Sequence, residues 1–194
     1  MNDDEERNHP RPPRPALRAP HVIPVVFWAF HKRYWPAYRA YAELHLGDAR
    51  LAGRVAHRVF QNLMRSWSRL MEEASPASSA WAQLKEAVDE ILIAQGRESA
   101  MVETASFGRV SRAVLEGTRE EFAAMETSIG LYAAISRLPA RQFDVMVLRD
   151  VLGYDPAQTA AIMGITEATV RSHRHRARQR LAHELGLEPG PDEE

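Results

Sequence analysis

Cysteine is absent from the 194 residues, which excludes disulfides and cysteine-ligated metal and fits a reducing compartment. Lysine is scarce as well. Lys32 and Lys85 are the only two among 25 basic residues, so positive charge is carried almost wholly by arginine. Excess charge of either sign is also missing: the net charge is −1 and the pI about 6.7, so any basic surface has to be local. Long apolar runs are lacking, because the stretch from Val22 to Phe30 is cut by Pro24 and can serve neither as a signal-peptide core nor as a membrane span. There is no Gly-rich phosphate loop, nucleophile elbow or metal-spaced cluster. Acid pairs such as Glu72-Glu73 and Glu120-Glu121 read as solvated helix faces. The expectation is a protein that is not an enzyme, with no catalytic residue, metal or cofactor.

What is present is helix pattern from end to end. With 45% apolar residues the chain can fill two small cores, and the fold class expected is all-α: two small helical domains joined by a linker. Residues 1–20 mix acids, prolines and arginines without an apolar run and read as a disordered tail, as do residues 188–194 at the acidic end. Residues 21–95 form the first domain. Its helices are expected over Val25 to Leu46, over Ala49 to Glu73, and through Trp81, Leu84, Val88, Ile91 and Leu92, with Ser75, Pro76, Ser78 and Ser79 as a loop. The aromatics of the first helix could stack on single-stranded bases, but aromatics at helical spacing more often build a core, and core is expected here. Residues 96–117 are the linker. Residues 118–187 form a four-helix unit, opened by the capping box Thr118–Glu121, continued from Ala140 to Leu152, and ending in two helices joined by a tight turn.

Those last two helices carry the chemistry. Asp155, Pro156 and Gln158 spell a capped helix start, Gly164 suits the turn, and Thr166 can cap a second helix to Leu181, with Gly186 beyond it. Ala160, Gly164 and Val170 occupy the small, positive-φ and apolar positions of a helix-turn-helix. The second helix holds Arg171, Arg174, Arg176, Arg178 and Arg180, with Glu167 its only acid. A repeat of 3.6 residues cannot put all five on one face, so two tasks are implied. Thr166, Ala168, Thr169, Arg171, Ser172 and His175 are placed to approach base edges in a major groove; Arg176, Arg178 and the other later arginines are placed to hold phosphates. A lone charge run would read as a solvated face. Here caps, packing positions and charge coincide on one unit. His173 and His175 project about 200° apart, a poor geometry for zinc.

Leu138-Pro139, Val145 to Asp150, Gly153, Ala160, Gly164, Thr169-Val170, Ser172, the run from His175 to Arg178, and Leu181 resemble the −35-binding domain of the sigma-70 superfamily, in its extracytoplasmic-function (ECF) group. Phe30, Tyr34, Gly47-Asp48, Val59-Phe60 and Trp81 resemble, more thinly, the family's polymerase- and −10-binding domain. The resemblance implies double-stranded promoter DNA and bacterial core RNA polymerase as partners, an anti-sigma protein as the further partner this group often has, no membrane, and a cytoplasmic, nucleoid-associated location. It also implies Arg54, His57, Arg58 and Gln61 as polymerase-facing residues. The family usually places acids just before the VF pair, whereas this chain has Gly53, Arg54, His57 and Arg58 there. Two functions of different classes therefore fit: a sigma factor, or a sigma-like regulator that binds DNA without standard polymerase docking.

Overall fold

The computed structural model describes residues 24–97, 134–184 and 186. Both expected tails, most of the expected linker and all but the last turn, residues 134–136, of the helix expected from Thr118 lie outside the described residues. Seven helices are described: α1 Val25–Leu46, α2 Ala49–Arg65, α3 Trp67–Met71, α4 Pro76–Ala94, α5 Ala140–Met146, α6 Pro156–Met163 and α7 Glu167–Glu184. A wider π turn over Val147–Val151 extends α5. The described residues contain no strand.

The joint between α1 and α2 follows from local chemistry. Gly47 takes the left-handed conformation at φ 69°, and the Asp48 carboxylate accepts from the amides of Arg50 and Leu51 at 2.7 and 2.9 Å. Of the α1 aromatics, Phe27, Tyr34, Tyr38 and Tyr41 are core, Phe30 and Trp35 pack half-buried against it, and Trp28, against expectation, is exposed. Tyr38 and Tyr41 pack edge-on against Trp81 at 5.6 and 4.7 Å, and Phe27 meets Trp67 at 5.2 Å.

Two expectations about the first half are corrected. The helix expected from Ala49 to Glu73 breaks at Ser66, whose hydroxyl donates back to the Asn62 carbonyl at 3.0 Å. Such back-bonding bends a helix, and the break turns Trp67 and Leu70 into the core. The expected loop at Ser75 to Ser79 is instead the start of α4, with Pro76 in its first turn. Ser75 stands at the N-cap but does not cap, because its hydroxyl donates to the Gly164 carbonyl at 2.9 Å.

In the second half, Val145, Met146, Val147, Leu148 and Val151 pack with Ile162 and Met163 of α6 and with Val170, Ala177 and Leu181 of α7. This core is continuous with that of α1–α4. Contacts that join the halves include Ser75 on Gly164, His45 against Phe143 at 5.7 Å, and the buried Asp144 carboxylate, which accepts from Trp81 Nε1 at 3.2 Å and Lys85 Nζ at 2.7 Å. Burial raises the Asp144 pKa, with the Lys85 ammonium opposing the shift.

Candidate nucleic-acid interface

The helix-turn-helix forms as its residues dictate. Gln158 N–H donates to Asp155 Oδ1 at 2.7 Å while the Asp155 amide donates to Gln158 Oε1 at 2.9 Å, a reciprocal capping box with Pro156 in the first turn. Gly164 then takes φ 65°, and its amide closes α6 on the Ala160 carbonyl. A Cβ at Gly164 would run into the backbone of Ser78 and the hydroxyl of Ser75, so both conformation and close approach require glycine here. Thr166 Oγ1 accepts from the Thr169 amide at 3.1 Å and lies 2.8 Å from Thr169 Oγ1, which fixes the start of α7.

Burial sorts the side chains of α7. Val170, Ala177 and Leu181 are buried and anchor the helix. Thr166, Ala168, Arg171, His175 and Arg176 are exposed; Thr169, Ser172 and Arg178 are half-buried. The base-reading and phosphate-holding candidates thus share the outward side of one helix, although Thr166 and Thr169 also serve its cap. Arg171 Nη1 lies 3.9 Å from Glu167 Oε2, an exposed pair one turn apart of little energetic weight that leaves the guanidinium available. Burial, together with Arg141 and Arg176, lowers the pKa of His173 and so favours its neutral form. Among the described residues no group of three or more His, Asp or Glu could hold a metal, and no helix is long and apolar enough to cross a membrane.

Arg174 is held by a carboxylate. Its Nη2 donates to Asp150 Oδ1 at 2.6 Å, and its Nε reaches Oδ1 at 3.1 Å and Oδ2 at 3.3 Å. Asp150 sits on the π turn. Composition alone places Arg174 with the phosphate-holding arginines, but periodicity carries the missing signal. Positions 170, 174, 177 and 181 form one stripe, three of them apolar and buried, and an arginine on such a stripe needs a carboxylate. Next to this pair Arg149 Nη1 donates to the Tyr154 carbonyl. Burial, with Arg174 and Arg178 nearby, lowers the Arg149 pKa, while Asp150 opposes the shift.

On α2 the residues Arg54, His57, Arg58 and Gln61 are all exposed and fall at helical spacing on one outward face. His57 Nε2 and Gln61 Nε2 are 2.9 Å apart, and Arg58 Nη2 lies 4.0 Å from Glu90 Oε2 of α4.

Residues 129–181 match the family described as Sigma-70, region 4. The chain is 45% identical over 64 residues to the ECF RNA polymerase sigma factor SigM of Mycobacterium tuberculosis, a stretch covering 33% of this chain and 33% of that protein. It is 46% identical over 48 residues to the ECF RNA polymerase sigma factor SigD of Mycobacterium bovis, covering 25% of this chain and 23% of that protein. The match therefore spans a third or less of these relatives' length. It includes α5, the turn and the arginines of α7 up to Arg180, and over this segment the chain is similar to sigma-70 region 4 and to ECF sigma factors.

Proposed function

We propose that this chain is a transcription initiation factor of the ECF type. It binds core RNA polymerase, carries it to promoters, and lays α7 in the major groove of the −35 element, while the helical unit α1–α4 meets the polymerase and the −10 region. Arg171 and His175 approach base edges with Ala168 and Ser172, and Arg176, Arg178 and Arg180 hold phosphates. It acts in the cytoplasm, on the nucleoid, with no catalytic chemistry of its own, and an anti-sigma protein is a further partner. The observation that carries this reading is the capped helix-turn-helix presenting Arg171, His175 and Arg176 outward, inside the segment that matches sigma-70 region 4.

One observation favours a second reading. Arg54, His57 and Arg58 are exposed together on α2, at positions where the family resemblance leads one to expect acids. A regulator that reads DNA without gripping polymerase in the usual way would carry such a face. Mixing the purified chain with bacterial core polymerase separates the two. Co-elution and promoter-dependent transcription are expected; DNA binding without core binding would leave the regulator.

A further inference from the structure

Among the five arginines from 171 to 180, Arg174 is the one on the buried stripe, and its partner comes from the opposite wall of the unit. The Asp150 side chain is 4% exposed and that of Arg174 is 25% exposed. Two nitrogens of one guanidinium engage both oxygens of one carboxylate, a fork that fixes direction as well as distance. Asp150 belongs to a π turn, where the Leu152 amide bonds the Val147 carbonyl five residues back. This wider turn, packed through the buried Val147, Leu148 and Val151, gives Asp150 a rigid base. The fork therefore couples the roll of α7 to the core. Two other guanidiniums stand close by, Arg149 and Arg178, so Asp150, together with Asp155, is a counter-charge to a cationic cluster.

We propose that Asp150 sets the sequence discrimination of the reader helix, by fixing the roll that aims Arg171 and His175 and by withholding Arg174 from the phosphates. This rests on α7 being a DNA reader. Phosphate contacts add affinity for every sequence alike, so an arginine kept from them sharpens the ratio of specific to non-specific binding. An unpaired Arg174 would slide outward on its long stem and do the opposite.

The test uses the full chain and the duplex it enriches from a random-sequence pool, compared with a scrambled duplex over a range of salt. Arg174→Gln is expected to leave the salt slope unchanged while discrimination falls about tenfold. Asp150→Ala is expected to steepen the slope by about 0.9, one added phosphate contact, with a similar loss of discrimination. Replacing both residues by leucine restores packing on the stripe, and discrimination should return toward that of the wild type with the slope unchanged. Circular dichroism checks that each variant is folded; if Asp150→Ala is not, Arg174→Gln and the double leucine variant decide. A slope flattened by about 0.9 in Arg174→Gln would make Arg174 a phosphate contact and overturn the proposal. Unchanged discrimination in Arg174→Gln would overturn it too. Enrichment of no sequence by the wild type would overturn the DNA reading itself, a different result from either.

Discussion

His45 makes stability fall in mild acid. It lies in the last turn of α1 with its ring 4.3 Å from Tyr41 and 5.7 Å from Phe143, and only 5% of its surface is exposed. Burial lowers its pKa from 6.5 to about 4. A cation at a helix C-terminus gains up to roughly 1 kcal/mol from the macrodipole, but desolvation dominates here. The unfolded chain therefore binds the proton more tightly than the folded one. Between pH 6.5 and about 4 stability drops as pH falls, and the loss attributable to His45 is about 2 kcal/mol at pH 5 relative to pH 7.5. Asp144 works in the opposite direction, because its raised pKa makes the folded state the better proton binder above the ordinary carboxylate value. Absolute stability mixes the two, so the informative quantity is a difference. Urea unfolding of wild type and His45→Leu should be followed from pH 7.5 to pH 5. The gap between them should shift by about 2 kcal/mol in favour of the variant as the pH falls. A gap that stays constant over that range would refute the assignment of a buried, neutral His45.

Lys85→Met removes the ammonium that pairs with the buried Asp144 carboxylate and should cost about 3 kcal/mol at pH 7, read from urea midpoints; a cost under about 1 kcal/mol would mean that water already serves the carboxylate. Gly164→Ala and Gly153→Ala both place a Cβ at positive φ, but only Gly164 meets neighbours, in Ser75 and Ser78. Gly153→Ala should cost about 1 kcal/mol and Gly164→Ala clearly more, and equal melting temperatures would remove the close approach of α4 to the turn. Arg180→Ala should flatten the salt dependence of DNA binding by about 0.9 for any sequence, whereas an unchanged slope would take Arg180 off the phosphates.

The ends of elements were readable wherever a residue type has one local use. Asp155, Pro156 and Gln158 announce a helix start, Gly164 its end, and Thr166 the next cap, and the structure follows them residue by residue. Element ends are hidden where a side-chain bond outside the apolar pattern decides them. Ser75 resembles a loop residue because its hydroxyl serves Gly164, 89 residues away, rather than the helix it begins. Ser66 breaks a helix through a bond to Asn62 that no apolar period records. The same holds at the site. Outward residues such as Arg171 and His175 follow from helical phase, while the removal of Arg174 depends on a carboxylate 24 positions earlier and on a π turn that presents it. The contacts of Lys85 and Trp81 with Asp144 join segments whose separation in sequence hides them equally.

The central claim is that α7 reads promoter DNA on behalf of RNA polymerase. A footprint of core polymerase on a library of promoter fragments, with and without this chain, tests it most directly. Added chain should bring protection centred upstream near −35 on a shared motif, and Arg171→Ala should relax the choice at one position of that motif by about 1 to 3 kcal/mol. Protection that needs no polymerase, or that is the same for Arg171→Ala on every fragment, would contradict it.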